Sequence, residues 1–254
     1  MIVAMSCTDN WYHYLMVDLY SLLENNKSVK KVYLLISTDK ENEIPYLIDI
    51  KKKYKVDIEL INVYNYLEKR LDNNPNRDTV FSNFCFSKLL LSRFVKEDKV
   101  LYLDTDAIVR KDISVLWKYD ISDYYVAGVK DFGIYERGNL DELNYHGKYI
   151  NSGVLLFNLK KVREDDIEKK WFDIIDKREL FFPDQDALNI VCSDKILYIP
   201  SMFNVCPDVT QPVSNKELAK IYHFAGLKED WVANMYCSEE WYDAEEKFYD
   251  EFGC

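Results

Sequence analysis

Residues Lys99–Val109 have the sequence KVLYLDTDAIV, an apolar and aromatic run that ends on two aspartates and then becomes apolar again. Such a run predicts a buried β-strand. Carboxylates at the end of a buried strand repel each other unless a positive group lies beside them. If the strand continues through Thr105, Asp104 and Asp106 point to the same face. The pattern favours a divalent cation with hard oxygen ligands, and it leaves a plain turn open because Asp and Thr are common turn residues.

Strands and helices alternate around this stretch. Hydrophobic patterning predicts strands over 2–6, 31–38, 56–63 and 99–104, and helices over 10–24, 41–54 and 86–95. This alternation predicts an α/β fold, a mostly parallel twisted sheet with helices on both faces. In open sheets of this type, ligands bind beyond the carboxyl ends of the strands, which is where Asp104 and Asp106 lie.

The second half of the sequence is less regular. Its predicted strands cover 124–131, 152–159, 195–200 and 220–226, and its predicted helices cover 160–177 and 181–192. The polar connection 132–148 has the character of a loop. An acidic helix is expected over about 238–252, with Trp241, Phe248 and Tyr249 facing inward. We expect a single domain over 1–254.

Composition excludes several classes of protein. The formal net charge of -11 argues against nucleic acid as a partner, because phosphate contacts need clustered Lys and Arg. The 6 cysteines form no CxxC pair, so they do not favour zinc and are expected to be reduced thiols. The opening segment lacks a basic leader, and no apolar run is long enough for a transmembrane segment. We expect a cytoplasmic protein with at most peripheral membrane contact.

Other residues suggest chemistry at the same edge of the sheet. His223, near the end of a late strand, is either a structural histidine or a metal ligand. Two carboxylates and one imidazole suit Mn²⁺ better than Mg²⁺. Asp184, Gln185 and Asp186 begin a helix, and they exceed what a helix cap needs. Gly153 precedes an apolar run, where it either allows close approach of a ligand or shapes a turn.

Seven segments occur in an order that resembles glycosyltransferase family 8. They span Ser6 to Trp231 and have the sequences SCTDNWY, FSKLLLSRF, VLYLDTDAIV, VAGVKD, YINSGVLLFNL, FPDQDALN and HFAGLKEDW. Members of this family include bacterial lipopolysaccharide galactosyl- and glucosyltransferases and glycogenin. The resemblance implies a GT-A fold with a single Rossmann-like nucleotide-binding domain, in which about 1–106 form the nucleotide-binding half and about 107–235 the donor and acceptor half. It also implies a UDP-sugar donor and transfer with retention of anomeric configuration.

The resemblance also implies roles for individual residues. Asp104, Asp106 and His223 match the family's Mn²⁺ ligands, with Mg²⁺ as the alternative cation. Contacts with the nucleotide-sugar are implied for Ala4, Thr8, Asn10, Lys88, Asp104, Thr105, Gly226 and Lys228. Positions around the transferred sugar are implied for Asn151, Asp184 and Gln185, and Asp131 matches the boundary between donor and acceptor.

The sequence departs from the family pattern at some of these positions. Lys88 replaces the usual arginine, which keeps the charge but loses the planar fork. In the closing segment Lys228 comes one residue early and Asp230 replaces a proline. That loop is therefore expected to have a different shape.

The resulting hypothesis is transfer of glucose or galactose, with retention, from UDP-glucose or UDP-galactose to a glycan or other hydroxyl acceptor in cell-surface polysaccharide or lipopolysaccharide synthesis. We favour attack on the same face as the leaving group. The segment 132–148, with Tyr135 and Tyr145, is expected to order over the donor and form one wall of the acceptor site.

Three alternative functions fit the sequence less well than this hypothesis. A sugar-nucleotide nucleotidyltransferase would carry a Gly-rich loop, and CTDNWYHY has no glycine. A phosphatase of the haloacid dehalogenase type would have threonine at Ile108. A non-catalytic sugar-nucleotide-binding protein would not need a complete metal site.

Overall fold

The computed structural model describes residues 1–77, 79–137, 139–207, 216–225 and 237–253 of the chain. Its strands are β1 (Ile2–Ser6), β2 (Lys31–Ile36), β3 (Asp57–Asn62), β4 (Lys99–Asp104), β5 (Ala107–Val109), β6 (Val126–Lys130), β7 (Ile150–Asn158), β8 (Ile196–Tyr198) and β9 (Ile221–His223). Seven of them form one sheet in the order β3-β2-β1-β4-β7-β6-β8, and β5 pairs with β9. Within the sheet, β7 runs antiparallel to both of its neighbours and the other pairs are parallel. The predicted mostly parallel sheet is confirmed.

Ten α-helices surround the sheet in the described part of the chain. They are α1 (Tyr12–Asn25), α2 (Leu47–Tyr54), α3 (Tyr64–Arg70), α4 (Leu91–Phe94), α5 (Phe132–Arg137), α6 (Asn139–Glu142), α7 (Leu159–Glu164), α8 (Ile167–Ile175), α9 (Pro183–Cys192) and α10 (Ser238–Phe252). Short 3₁₀ helices cover Asp9–Trp11, Glu41–Glu43, Asn83–Leu90, Leu116–Lys118, Ser193–Lys195, Ser201–Phe203 and Lys216–Leu218. Among the described residues, no helix combines the length and the apolar character needed to cross a membrane.

The helices cover both faces of the sheet, as predicted, because successive strand residues point to opposite sides. Leu101 and Leu103 of β4 pack in a core that includes residues of α1 and α10. Val100 and Tyr102, which alternate with them, pack in a second core with residues of α8 and α9. The sheet is therefore buried on both sides, and its ligand-binding surface is left at the strand ends.

Three helices predicted as continuous are interrupted. The region 41–54 is broken before α2, because Pro45 keeps Ile44 extended and Tyr46 has a φ of 59°. The region 160–177 divides at Asp166, which has a φ of 50°. The region 86–95 is mostly the 3₁₀ helix Asn83–Leu90 followed by α4. Hydrophobic spacing alone does not reveal such local breaks.

The prediction of a loop over 132–148 was wrong, because α5 and α6 lie there. Tyr145 is buried against Ile134 and Tyr149. Its hydroxyl is the hydrogen-bond donor that faces the carbonyl oxygens of Lys148 and Asn189, at 2.6 and 2.9 Å. Tyr145 is therefore part of a small core and is not available to stack on a sugar, while the side chain of Tyr135 lies outside the described residues.

One face of α10 also differs from the expectation. Trp241 and Phe248 are buried, as predicted, but Tyr249 is 40% exposed. The Tyr249 hydroxyl lies 2.9 Å from His13 Nδ1 on α1. The tyrosine therefore sits at the edge of the contact between the two helices.

Two features of the topology assemble one edge of the sheet. Asp104 ends β4 beside Ser6 of β1, and the reversed direction of β7 brings the start of β7 to the same edge. After a turn at Thr105 and Asp106, β5 begins and places Ala107 opposite His223 of β9. Asp104 and Asp106 therefore meet across a turn and not, as expected, along a continuous strand.

Candidate active site

Asp104, Asp106 and His223 converge at this edge. One ligand atom from each residue lies within 4.8 Å of the others. His223 Nε2 is 3.2 Å from Asp106 Oδ1 and 3.9 Å from Asp104 Oδ2. Apart from this ion pair, Asp106 Oδ1 is buried without a hydrogen-bond donor among the described residues. Two carboxylates and one imidazole, with a buried oxygen that lacks a donor, fit a divalent cation.

A chain of amides sets the orientation of the His223 ring. The backbone N–H of Gly153 donates to Asn151 Oδ1 at 2.9 Å, so the Asn204 atom 2.8 Å from that oxygen is its amide nitrogen. Asn204 Oδ1 therefore faces His223 Nδ1 at 3.1 Å and accepts a hydrogen bond from its N–H group. Nε2 is left to face the two carboxylates. Partners of this kind fix the tautomer of a metal-binding histidine.

Charge distribution in the cluster is uneven. Burial disfavours the charged imidazole, but Asp106 outweighs it and holds the pKa of His223 well above its ordinary value. Burial also opposes the charge of Asp106, but His223 outweighs it and lowers the pKa of Asp106. For Asp104, burial outweighs the attraction of Lys88 and raises the pKa. The protonated imidazole thus supplies the positive charge that a divalent cation would supply more strongly.

A buried lysine joins this cluster to the start of α9. Lys88 Nζ lies 2.9 Å from Asp104 Oδ1, 3.0 Å from Asp184 Oδ2 and 3.2 Å from the carbonyl oxygen of Ser152. Burial opposes its charge, but Asp104 and Asp184 outweigh burial and hold the pKa of Lys88 well above its ordinary value. These acceptors use all three ammonium protons. The predicted contact of Lys88 with a diphosphate would require one of them to be exchanged.

Asp184 and Gln185 point into the site and do not cap the helix. The N-cap residue of α9, Phe182, has no side-chain cap, and Asp184 instead accepts from Ser152 Oγ at 3.0 Å. The backbone N–H of Ser152 donates to Gln185 Oε1 at 2.8 Å, and this orients Gln185 Nε2 toward Asp131 Oδ2, 2.9 Å away.

Asn151 completes this group, since its Nδ2 lies 3.5 Å from Asp131 Oδ2. The structure therefore brings Asn151, Asp131 and Gln185 together. Asp186 differs from its neighbours, because its Oδ2 accepts from the backbone N–H groups of Phe181 and Phe182, both at 2.9 Å. Its Oδ1 accepts from the Tyr149 hydroxyl, which also lies 3.3 Å from Gln185 Nε2, so Asp186 holds the local backbone and touches the site only through Tyr149.

The other residues predicted to contact the nucleotide-sugar are not all in direct contact with this cluster. Ala4 is buried inside β1. Thr8 and Asn10 lie just beyond the end of β1, half-buried and exposed respectively, and Thr105 is buried in the turn between the two aspartates. Gly226 and Lys228 lie outside the described residues, so their contacts stay predictions.

Sequence reasoning missed two residues that hold metal-site groups. Tyr102 donates to Asp104 Oδ1 at 2.7 Å and lies 2.7 Å from Ser6 Oγ. Its position two residues before Asp104, on the same face of the strand, could have revealed it. Asn204 is buried and contacts His223 and Asn151, but its surrounding sequence carries no signal for this contact.

Comparison with known proteins agrees with this geometry. Residues 2–234 match the sequence profile of glycosyl transferase family 8. The chain belongs to glycosyltransferase family 8. It is 29% identical to general stress protein A of Bacillus subtilis, over 90% of this chain and 87% of that protein. It is 26% identical to a lipopolysaccharide 1,2-glucosyltransferase of Escherichia coli, over 89% of this chain and 69% of that protein.

A solved structure confirms the predicted GT-A fold. The galactosyltransferase LgtC, in complex with donor and acceptor sugar analogs, superposes with a TM-score of 0.79. The two sequences are 22% identical, and the match covers 97% of this chain and 96% of LgtC. This family 8 chain is therefore a glycosyltransferase with three potential metal ligands, Asp104, Asp106 and His223, at the carboxyl edge of its sheet.

Gly153 is needed because the His223 ring lies against its backbone. A Cβ atom at this position would lie 2.1 Å from His223 Cε1 and 2.5 Å from His223 Nδ1, which is closer than atoms can approach. Neither of the expected roles, close approach of a ligand or a turn, describes this contact. The absence of a side chain makes room for the metal-site imidazole.

We expect Gly153→Ala to displace the imidazole and weaken Mn²⁺ binding by about tenfold or more, measured by titration calorimetry. Gly128→Ala, in β6, is the matched control, because its added Cβ would crowd the apolar side chains of Ile150 and Leu155, at 2.7 and 3.2 Å, and not the imidazole. Equal Mn²⁺ affinities in Gly153→Ala and the wild type would show that the imidazole is not a ligand.

Proposed function

We propose that this chain is a retaining hexosyltransferase that moves glucose or galactose from a UDP-sugar to a hydroxyl of a glycan or other acceptor. The observation that carries the proposal is the convergence of Asp104, Asp106 and His223 beside the Asp184 and Gln185 pair. The names of the relatives, a lipopolysaccharide 1,2-glucosyltransferase and a galactosyltransferase, support both sugars and the synthesis of cell-surface polysaccharide.

The donor set supports Mn²⁺ as the cation, because it mixes carboxylate oxygens with an imidazole nitrogen. Asp104, Asp106 and His223 would hold the ion, and Mg²⁺ is the alternative. The bound ion would act as a Lewis acid on the diphosphate of the donor and stabilise the charge of the leaving UDP. Tyr102 and Lys88 orient the Asp104 carboxylate for this role through the contacts described above.

The surrounding residues would position the hexose. Asp184 is held by Lys88 and Ser152, and Gln185 by Ser152 and Asp131, so both side chains are oriented before substrate binds. Preorganised groups of this kind align the reacting atoms without further loss of entropy. Because both ends of the Gln185 amide are hydrogen-bonded and the amide is neutral, Gln185 positions the sugar and does not attack it.

We infer that the acceptor attacks from the face that UDP leaves. The bond between the anomeric carbon and the phosphate oxygen breaks, and a bond between the same carbon and the acceptor oxygen forms. The acceptor proton passes to a phosphate oxygen of UDP, so the products are the glycoside and UDP. Asp184 supports this route over a covalent one, because its carboxylate is already engaged by Lys88 and Ser152.

UDP release from UDP-glucose and UDP-galactose, with Mn²⁺ and with water or sugars as acceptor, tests the function. We expect the wild type to release UDP from at least one donor. Asp106→Asn should lower this rate by about a hundredfold or more, because the cation site loses an ionised ligand. Asp123→Asn, an exposed carboxylate outside the site, is the control. Binding of UDP-sugars with no turnover of any donor would favour the non-catalytic alternative.

Two neighbouring aspartates allow a sharper test of positioning. We expect Asp184→Asn to lower kcat by about a hundredfold, because the amide keeps the shape and loses the charge that orients the sugar. The melting temperature should fall as well, because Lys88 loses one of its two counter-charges. Asp186→Asn should affect stability and not catalysis. It should lower the free energy of unfolding by about 1–3 kcal/mol, since Asp186 satisfies buried backbone donors, and largely preserve kcat. Steady-state kinetics and thermal unfolding of both variants distinguish the two roles. Normal kinetics of Asp184→Asn would assign Asp184 a structural role.

A further inference from the structure

Helix α1 is docked on β5 through a line of polar side chains. Ser21 Oγ accepts from the backbone N–H of Val109 at 3.0 Å, and Asn25 Nδ2 donates to the carbonyl oxygen of Val109 at 2.9 Å. Residues three and four apart share one face of a helix. Asp18, one turn before Ser21, therefore lies on the face of α1 that covers the beginning of β5, the strand that follows Asp106.

Asp18 is completely buried, and neither of its carboxylate oxygens has a hydrogen-bond donor among the described residues. Burial, followed by the charge of Asp106, holds the pKa of Asp18 well above its ordinary value, and His223 and Asp104 are the next charges that act on it. A buried carboxyl group without a partner is strongly unfavourable. Such groups in native proteins call for an explanation, for which an ion that interacts with them is one candidate.

We propose that Asp18 is a further member of the cation site. It acts as a positioning residue outside the inner ligands, and its carboxylate strengthens binding of the divalent cation by Asp106 and His223. The inference rests on the proposed function, since it requires a cation at that site. The atoms that lie within 4.8 Å of one another come from Asp104, Asp106 and His223, so Asp18 acts from beyond the inner ligands.

This arrangement explains why a carboxyl group is present where the fold does not need one. The neighbours of Asp18 in α1, Val17 and Leu19, are buried apolar residues, and an apolar side chain would suit the position as well. A negative charge close to a divalent cation is favourable, and it is favourable more strongly in a buried site than in water. Asp18 would therefore weaken the fold alone and stabilise it with the cation.

The test is the affinity of the full chain for Mn²⁺ with saturating UDP, measured from the electron paramagnetic resonance signal of free Mn²⁺. Four proteins are compared: the wild type, Asp18→Asn, Ser21→Ala and Asp106→Asn. We expect Asp18→Asn to raise the dissociation constant for Mn²⁺ by about tenfold or more. Ser21→Ala, which removes a hydrogen bond of the same helix face but no charge, should leave this constant unchanged.

Thermal unfolding without Mn²⁺ supplies a second readout. Asp18→Asn should melt at the same temperature as the wild type or higher, because a neutral amide of equal size removes the repulsion between the unpartnered carboxyl and Asp106. A lower melting temperature in Asp18→Asn would overturn the inference by showing that the carboxyl has a structural partner.

The outcomes separate the two proposals. Wild-type Mn²⁺ affinity in Asp18→Asn, with affinity lost in Asp106→Asn, would overturn the role of Asp18 and leave the proposed function standing. Failure of the wild type itself to bind Mn²⁺ would overturn both.

Discussion

Repulsion between neighbouring carboxylates is the constraint on which the rest of this structure depends. Asp104, Asp106 and Asp184 lie at one edge of the sheet, and each is paired with a cation or a hydrogen-bond donor. Lys88 pairs with Asp104 and Asp184 together, and in the described part of the chain Asp106 pairs with His223. Because an imidazole carries at most one charge, the site retains a capacity for a divalent cation. The electrostatics of the fold and the chemistry of a nucleotide-sugar donor thus meet at the same atoms.

The topology brings these groups together from distant parts of the chain. The reversal of β7 places Asn151 and Ser152 at the edge where β4 ends, and the small β5–β9 sheet places His223 beside Asp106. Asn204 then links His223 to Asn151 through hydrogen bonds of 3.1 and 2.8 Å. The candidate metal ligand His223 and the amides of Asn204 and Asn151 therefore form one hydrogen-bonded unit, in which a shift of the imidazole changes the contacts of both amides.

Some of this could be predicted from the sequence, because it depends on local patterns. Apolar runs predicted the strands, and the motif at Asp104 and Asp106 predicted the position of the candidate cation site. His223 came from the resemblance to the family, since a lone histidine carries little signal of its own. Asn204 could not be found, because its role arises from contacts between elements distant in sequence. The prediction of a loop over 132–148 failed because its polar residues concealed the short helices α5 and α6.

The central claim is that His223 and the diphosphate of the donor share one cation with the two aspartates. Pulsed electron paramagnetic resonance of bound Mn²⁺ tests it directly, because modulation of the electron spin echo identifies the nuclei next to the ion. The account predicts ¹⁴N modulation from an imidazole that disappears in His223→Ala, and ³¹P coupling that appears when UDP is added. Bound Mn²⁺ with no ¹⁴N modulation in the wild type and no ³¹P coupling with UDP would contradict the account.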